Sequence, residues 1–443
     1  MPYISTPPSS RSPLPSPSSS PNPFDQAPSP ASSCTSISEN DLGDALLSLS
    51  IDSLPLETRD YILVIGGLGF IGSHTTLELL KDGYNVVVVD NMSNSFESAF
   101  TNIHLLAKKH HVSRGTVCPD FKLHKLDYRS PTLRTVLAQY AVQDPAAFPG
   151  TPRASYITGV IHFAAYKSVS ESTSQPLAYY LNNVAGLIEL LALLSDFNIK
   201  NFVFSSSATV YGSALTSSHF LVTEDQLVHH ETASITPGIT LTPGIKGLTS
   251  PYGRTKYFSE AILADVALAD PSWRITALRY FNPVGCEPSG LLAEDPRQTP
   301  TNLFPVVCQV LTGSRAALDV FGTDWDTRDG TAVRDYIHVV DLARGHLAAL
   351  AAAGKRKGAE AFRAYNLGTG TGSTVKEVVA CMERAAGKRI RTNLAPRRVG
   401  DVAFCVADVG RAERELGWKT RLGLEDCARD TWMCLRLAGK VDG

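Results

Sequence analysis

The chain has 443 residues, a formal net charge of −2 and no long basic run, which argues against a nucleic-acid surface built on phosphate contacts. Its eight cysteines are dispersed and show no CxxC spacing, so we expect neither a disulfide framework nor a metal site and predict a reducing, cytoplasmic location. We find no secretory signal and no apolar run near the roughly 20 residues of a membrane span, so no membrane partner is expected.

The first 58 residues are predicted to lie outside the folded part of the chain. Residues 1–38 contain 23 Ser or Pro and few large apolar side chains. Such a composition cannot offset the entropy of ordering by burial. We therefore predict a disordered extension over 1–58, with at most one short helix over 39–58.

From residue 59 onward, short apolar runs alternate with helical spacing. Six buried-strand candidates are "YILVIGG", "NVVVVD", "FKLHKLD", "GVIHFAA", "NFVFSSSATVYG" and "RITALRYFNPVG". Helical stretches lie between them, such as "FIGSHTTLELLKDGY" and "PLAYYLNNVAGLIELLALLSDF". This alternation predicts an α/β fold, a Rossmann-type doubly wound parallel sheet with helices on both faces. Two stretches, 144–155 and 213–250, are interpreted as insertions.

A glycine triplet, Gly66-x-x-Gly69-x-x-Gly72, lies between the first strand and the first helix. Glycine at these positions allows a tight turn and lets the backbone approach a pyrophosphate at the helix N-terminus. Asp90 ends the second strand, as expected for an acid that binds ribose hydroxyls. An acid there favours NAD over NADP. We assign 59–283 to an NAD-binding domain and 284–443 to a smaller, partly interleaved C-terminal α/β substrate domain.

Tyr252 and Lys256 lie four residues apart in "SPYGRTK" and would share one face of a helix. A free tyrosine has a pKa of about 10 and is a poor base at neutral pH. A nearby ammonium group favours the phenolate and lowers that pKa. The pair could therefore make Tyr252 a general base and acid, although such a spacing also occurs on ordinary surface helices.

Further motifs follow in order, among them "GGLGFIGSH", "VIHFAAYKSVSES", "FVFSSSATVYG", "LRYFNPVG", "YNLGTG" and "APRRVGD". Together with "SPYGRTK", they resemble the extended short-chain dehydrogenase/reductase family and, within it, the UDP-glucose 4-epimerases. The resemblance runs from residue 61 to about 435. It implies tightly bound NAD, a 4-keto sugar intermediate and interconversion of UDP-galactose and UDP-glucose in galactose metabolism. It also implies a homodimer.

The resemblance implies a role for each matching position. The implied catalytic residues are Ser207, Tyr252 and Lys256. The implied NAD-binding residues are Gly66, Gly69, Phe70, Ile71, Gly72, Asp90, Asn91, Asn94, Ser95, Asp127, Tyr128, Phe163, Ala164, Lys167, Asn182, Tyr252, Lys256 and Tyr280. The implied substrate-binding residues are Ser207, Phe281, Asn282, Asn302, Leu318, Phe321, Arg334, Arg398, Asp401 and Cys405.

Four positions depart from the family pattern: Ala165 replaces Gly, Ser168 and Ser170 replace Ala and Gly, and Thr301 replaces Asn. At Cys405 the family carries a bulky tyrosine in forms restricted to plain hexoses. A small residue there leaves room for a 2-acetamido group, so UDP-GlcNAc and UDP-GalNAc are further candidate substrates.

Three alternatives remain open from the sequence. A nucleotide-sugar 4,6-dehydratase shares the fold but needs an Asp-Glu pair after the fifth strand, where this chain has "SSSATVYG". An NAD-dependent nucleotide-sugar dehydrogenase would release NADH. A non-enzymatic NAD-binding regulator would typically have lost the catalytic tyrosine.

Overall fold

The core of the structure is a seven-stranded parallel sheet. Its strand order is β13-β8-β5-β4-β1-β2-β3, so the chain winds outward in both directions from β1 and β4. The computed structural model describes residues 60–142, 154–216, 221–233, 240–295, 300, 302–354, 361–398 and 401–440. The predicted extension 1–58, Thr301 and parts of both predicted insertions lie outside the described residues.

The strands of this sheet are short, and β1, β2 and β4 are rich in β-branched residues. Their bounds are β1 Tyr61–Ile65, β2 Asn85–Asp90, β3 Phe121–Lys125, β4 Ile157–His162, β5 Asn201–Ser207, β8 Arg274–Tyr280 and β13 Phe362–Leu367. Nine shorter strands form small ladders elsewhere among the described residues. They are β6 Thr232–Ala233, β7 Thr240–Leu241, β9 Asn282–Val284, β10 Leu318–Phe321, β11 Val333–Arg334, β12 Tyr336–His338, β14 Ser373–Thr374, β15 Thr392–Ala395 and β16 Phe404–Cys405.

Twelve α-helices lie in the described part of the chain. They are α1 Phe70–Lys81, α2 Glu97–Arg114, α3 Thr132–Ala138, α4 Val169–Ser174, α5 Pro176–Tyr180, α6 Gly186–Asp196, α7 Pro251–Ala269, α8 Leu303–Leu311, α9 Val339–Ala353, α10 Val375–Ala386, α11 Gly410–Leu416 and α12 Leu424–Leu437. A π-helical turn over Leu181–Ala185 joins α5 to α6. Short 3₁₀ segments cover Ala208–Thr216 and Glu224–Gln226.

Alternate side chains of β1 point into different cores. Tyr61, Leu63 and Ile65 pack with residues of α3, α6 and α7, whereas Ile62 and Val64 pack with α1, α2 and α9. Both faces of the sheet are therefore covered, which explains why the central strands β1 and β2 are almost continuously apolar rather than alternating. A third core lies among α8, α10, α12 and β10.

All six predicted strands are present, and the seventh, β13, was not predicted. It pairs with β8 although it lies in the segment assigned to the C-terminal domain. The domain boundary at 283/284 itself stays a prediction.

The sequence-based conclusion that no apolar run approaches the length of a membrane span needs correction. Because α5, the π-turn and α6 are continuous, Pro176–Asp196 forms 21 helical residues with a mean hydropathy of 1.5, long and apolar enough to cross a membrane by composition alone. Asn182 and Asn183 interrupt the apolar run in the sequence, which is why it was not recognised. In the fold, both asparagines are buried.

Candidate active site

A large cavity of about 760 Å³ opens at the carboxyl ends of the central strands. Ligands of open parallel sheets bind at this edge. The predicted site residues that line it are Gly66, Gly69, Phe70, Ile71, Gly72, Asp90, Asn91, Asn94, Ser95, Tyr128, Phe163, Ala164, Lys167, Asn182, Ser207, Tyr252, Lys256, Tyr280, Phe281, Asn282, Asn302, Leu318, Phe321, Arg334, Arg398 and Asp401. Asp127 and Cys405 are the two predicted residues that are not among its lining.

The glycine turn at the start of α1 has the shape that a pyrophosphate requires. Gly66 has φ of +79°, and a Cβ there would lie 2.7 Å from the Ala164 nitrogen. A Cβ on Gly72 would lie 2.1 Å from the Gly66 carbonyl oxygen. At Gly69, by contrast, a Cβ would meet only that oxygen, at 3.6 Å, so the cavity side is open. The first turn of α1 thus offers backbone N–H groups to an anion.

Asp90 is held in place by the turn that it closes. Its carboxylate accepts hydrogen bonds from the Leu68 nitrogen at 2.9 Å, the Met92 nitrogen at 2.8 Å and the Ser95 hydroxyl at 2.9 Å. An ionised carboxylate has about four acceptor positions, so one remains for a ribose hydroxyl. With the glycine turn, this arrangement fits an NAD molecule.

The three predicted catalytic side chains line the same cavity. Ser207 is the last residue of β5, and Tyr252 lies in the first turn of α7. The helix begins there because the Ser250 hydroxyl accepts a hydrogen bond from the Gly253 nitrogen at 3.1 Å. Lys256 follows one turn later and is only 2% exposed.

The predicted effect of Lys256 on Tyr252 is not present in this structure. Burial raises the pKa of Tyr252 to about 12, opposed by its hydrogen bond with Ser207. Burial lowers the pKa of Lys256 to about 7. The Lys256 ammonium group donates to the Ser205 carbonyl oxygen at 2.6 Å and lies 4.7 Å from the centre of the Phe204 ring, so desolvation dominates both groups.

A buried ionic network lies directly behind these residues. The Glu260 carboxylate accepts from Arg279 at 2.6 Å and from the Ser206 hydroxyl, and His229 Nε2 lies 3.0 Å away. Ser206 and Arg279 are paired across β5 and β8, as are the next two residues, Ser207 and Tyr280. The sequence analysis did not identify this network, because its members are distant in sequence.

Cationic side chains also line the cavity. Arg334 donates to Asp401 and, at 2.8 Å, to the Val402 carbonyl oxygen. The Arg398 guanidinium lies 3.9 Å from the centre of the Phe321 ring. Two guanidinium groups suit a diphosphate because each can bind its oxygens bidentately.

Several lining groups were missed by the sequence analysis. Arg315 lines the cavity and pairs with Asp319 at 2.6 Å. The first turn of α8, which begins after Asn302, lines it too and offers further N–H groups to an anion. Lys167, a predicted residue, pairs with the unpredicted Glu294 at 3.1 Å. In the sequence, the start of α8 was indicated only by Asn302, which precedes an apolar run with helical spacing.

Asp127 is engaged outside the cavity lining. Its hydrogen bonds with Arg129 lower its pKa to about 2, and it accepts from Asn91 at 3.1 Å. Tyr128 does line the cavity, but its hydroxyl donates to the carbonyl oxygen of Asn182. The cofactor roles of both residues stay predictions.

The departures from the family pattern have local structural roles where they are described. Ser168 caps α4 by accepting from the Glu171 nitrogen at 3.2 Å, and its hydroxyl lies 3.3 Å from that of Ser170. Ala165 lines the cavity. Cys405 is buried against Phe281, and its strand pairs Cys405 with Arg334.

This site and fold define an NAD-binding enzyme of the extended short-chain dehydrogenase/reductase class. A family model described as GDP-mannose 4,6 dehydratase matches residues 63–431. UDP-glucose 4-epimerase 2 of Arabidopsis thaliana is 43% identical over 372 residues, covering 84% of this chain and 93% of that protein. The chain belongs to this family of UDP-glucose 4-epimerases.

Two further comparisons agree with this family assignment. The bifunctional protein GAL10 of Pachysolen tannophilus is 44% identical over 372 residues, which are 84% of this chain but only 48% of that longer protein. The crystal structure of UDP-glucose 4-epimerase from Bifidobacterium longum in complex with NAD⁺ and UDP matches with a TM-score of 0.70 and 41% identity, covering 86% of this chain and 99% of that one.

Proposed function

We propose that this protein is an isomerase that interconverts UDP-galactose and UDP-glucose by inverting C4 of the sugar. The observation that carries the proposal is the single cavity that joins the Ser207, Tyr252 and Lys256 cluster to Arg334 and Arg398. Acid–base groups and diphosphate-binding groups in one cavity match the two parts of a nucleotide sugar, the hexose and the diphosphate.

Tyr252 acts as the general base and acid in this proposal. Its phenol oxygen takes the proton of the sugar 4-hydroxyl and later returns it to the 4-keto sugar, while Ser207 hydrogen-bonds the same sugar oxygen. Bound NAD supplies the two-electron oxidation and reduction at C4. Tyr252 is nine-tenths buried and lines the cavity, so protein groups form most of the surroundings of its phenol.

The diphosphate groups must stay bound while the keto sugar turns over. Arg334 is suited to this, because its bonds to Asp401 and the Val402 carbonyl fix the guanidinium before substrate arrives. Arg398 is held flat on Phe321 in the same way. Preorganised donors lose little side-chain entropy on binding.

The residues at the end of β5 argue against the dehydratase alternative. The residues that follow Ser207 are Ala208, Thr209 and Val210, and Thr209 donates to the Ser207 hydroxyl at 3.1 Å. No carboxylate occupies the position where elimination across C5 and C6 would need one.

The product assay separates the candidates. Purified protein is incubated with UDP-galactose, and the nucleotide sugars are separated by chromatography. UDP-glucose is the expected product. A 4-keto-6-deoxy product would indicate a dehydratase. A product accompanied by stoichiometric NADH would indicate a dehydrogenase. The absence of any product would indicate a non-enzymatic NAD-binding protein.

We also propose a homodimer formed through α5, α6 and α7. This region exposes large apolar side chains: Leu177 of α5 at 75%, Leu181 of the π-turn at 62%, Ile188 of α6 at 49% and Phe258 of α7 at 43%. These exposed side chains also explain the membrane-like composition of Pro176–Asp196, so our proposal assigns that helix to an interface rather than to a membrane. Leu181→Glu should yield monomers by light scattering, while Leu394→Glu, at an exposed site on β15, should not. A monomeric wild type would refute the dimer.

A cytosolic location is proposed as well, because the seven cysteines within the described residues are all free thiols. Cell fractionation with the full chain tests it, and recovery in a secreted or organellar fraction would contradict it.

A further inference from the structure

Two cysteine thiols meet between the segment that leaves the active site and the C-terminal helix. Cys286 follows β9 by two residues, is 1% exposed, and donates to the Asp430 carbonyl oxygen at 2.7 Å. Cys434 lies on α12 one turn after Asp430, so its backbone N–H points toward the same carbonyl. The Cys286 thiol therefore lies against the turn of α12 that carries Cys434.

The backbone on either side is close enough for a covalent link. A Cβ added at Gly290, four residues after Cys286, would lie 3.3 Å from the Cys434 Cα. The loop therefore packs directly on α12. A disulfide needs Cα atoms about 4.4–6.8 Å apart. Thiols on segments packed this closely can reach that geometry by side-chain rotation.

The two thiols differ in reactivity. The neighbouring Cys286 thiol lowers the pKa of Cys434, and Lys440 acts in the same direction, while burial and Asp295 oppose it. The pKa of Cys286 is raised, chiefly by the Cys434 thiol and then by burial, with Asp430 and Glu287 adding to the rise. Cys434 is also the partly exposed member of the pair. Thiolate character and access are what select a cysteine for oxidation.

We propose that Cys434 and Cys286 are a modification site that forms a reversible disulfide on reaction with a peroxide. The Cys434 thiolate attacks the peroxide, a sulfur–oxygen bond forms, the oxygen–oxygen bond breaks, and hydroxide leaves. The Cys286 thiol then attacks the sulfenic sulfur, the sulfur–sulfur bond forms, and the oxygen departs as water after taking the thiol proton. The two cysteines lose two electrons and the peroxide gains them. A small thiol reverses the reaction by exchange.

The disulfide would tie the loop after β9 to α12. That loop continues to Glu294, which lines the active-site cavity and pairs with Lys167. Oxidation would therefore restrain one wall of the cavity without altering a catalytic group. The inference does not depend on which sugar the site binds.

The test uses the full chain treated with hydrogen peroxide, digested without reductant and examined by mass spectrometry. We expect a linked peptide pair containing Cys286 and Cys434, a loss of two hydrogens per chain, and reversal by dithiothreitol. Cys434→Ser and Cys286→Ala should each abolish the pair, while Cys118→Ser, at a half-buried thiol elsewhere, should retain it.

A second measurement guards against misfolded variants. The melting temperature of oxidised wild type should exceed that of the reduced form, and Cys434→Ser should show no such difference. A link from Cys434 to Cys308, a Cys434 oxidised to sulfinic acid without any link, or an unchanged wild-type melting temperature would overturn the proposal.

Discussion

The side-chain amine of Lys256 and the backbone carbonyl of Ser205 are joined by a hydrogen bond of 2.6 Å. Ser205 lies two residues before Ser207, so one bond ties α7 to the end of β5 where the predicted catalytic serine emerges. The same bond directs the ammonium group toward the backbone. Lys256 therefore fixes the position of both catalytic elements in addition to carrying charge near them.

Tyr252→Phe should lower kcat by about 10²–10⁴-fold, the usual contribution of a general acid–base group. The fold should persist, because the substitution removes only a hydroxyl group and leaves the N-terminal cap of the helix intact. The matched control is Tyr257→Phe, one residue beyond Lys256 on the same helix and absent from the cavity lining. Steady-state turnover of UDP-galactose is measured for both. Near-normal turnover in Tyr252→Phe would show that another group moves the proton.

The free energy of unfolding should depend on pH through Lys256. Its pKa in the folded protein is lowered to about 7, below the value of about 10.4 in an unfolded chain. Between these two values the unfolded state holds a proton that the folded state has released, so this contribution to stability rises with pH. Lys256→Met removes it.

The measurement is urea unfolding in saturating NAD between pH 7 and 9. The stability of wild type relative to Lys256→Met should rise across this range. Lys200→Met should show no such trend, because the Lys200 amine pairs with Asp270 at 2.8 Å at the surface. Parallel curves for wild type and Lys256→Met would mean that the buried amine does not titrate in this window.

Asp90→Asn should weaken NAD binding, because the carboxylate that completes the ribose site loses its charge while the turn keeps most of its hydrogen bonds. The measurement is the amount of NAD released on denaturing the purified protein. Asp127→Asn is the informative comparison, since Asp127 pairs with Arg129. If Asp127→Asn loses NAD as readily as Asp90→Asn, Asp127 does contact the cofactor, and if Asp90→Asn retains it, the ribose assignment is wrong.

Wild type should accept UDP-GlcNAc, and Cys405→Tyr should lose that activity while retaining UDP-galactose turnover. Cys405 does not line the cavity, but its neighbours Phe281 and Arg334 do. Added bulk behind them would push them into the space of a 2-acetamido group. Cys405→Ser, of similar size, should behave as wild type in both assays. Absence of UDP-GlcNAc turnover in wild type, or its survival in Cys405→Tyr, would contradict this account of the pocket.

The sequence predicted six strands of the sheet because each lies in a short run that contains several apolar residues. β13 escaped prediction because "FRAYNL" mixes charged and polar residues with apolar ones, and only its pairing with β8 shows that it completes the sheet. Motif spacing likewise located Tyr252 and Lys256.

The electrostatics of the site could not be read from spacing. Four residues along a helix place Lys256 on the same face as Tyr252, but the burial that raises one pKa and lowers the other depends on the whole fold. The network of Glu260, Arg279 and His229 could not be predicted from the sequence for the same reason. Its members come from α7, β8 and the segment after the second 3₁₀ turn, and only folding brings them together.

The most direct test of the central claim follows the hydrogen at C4. UDP-galactose carrying deuterium at that carbon is converted by the purified protein without added NAD, and UDP-glucose is analysed by mass spectrometry and NMR while absorbance is monitored for NADH. We predict that UDP-glucose retains the deuterium at C4 and that no NADH accumulates in solution. Loss of the label to solvent, or NADH formed in proportion to product, would contradict epimerisation through a 4-keto sugar held beside bound NAD.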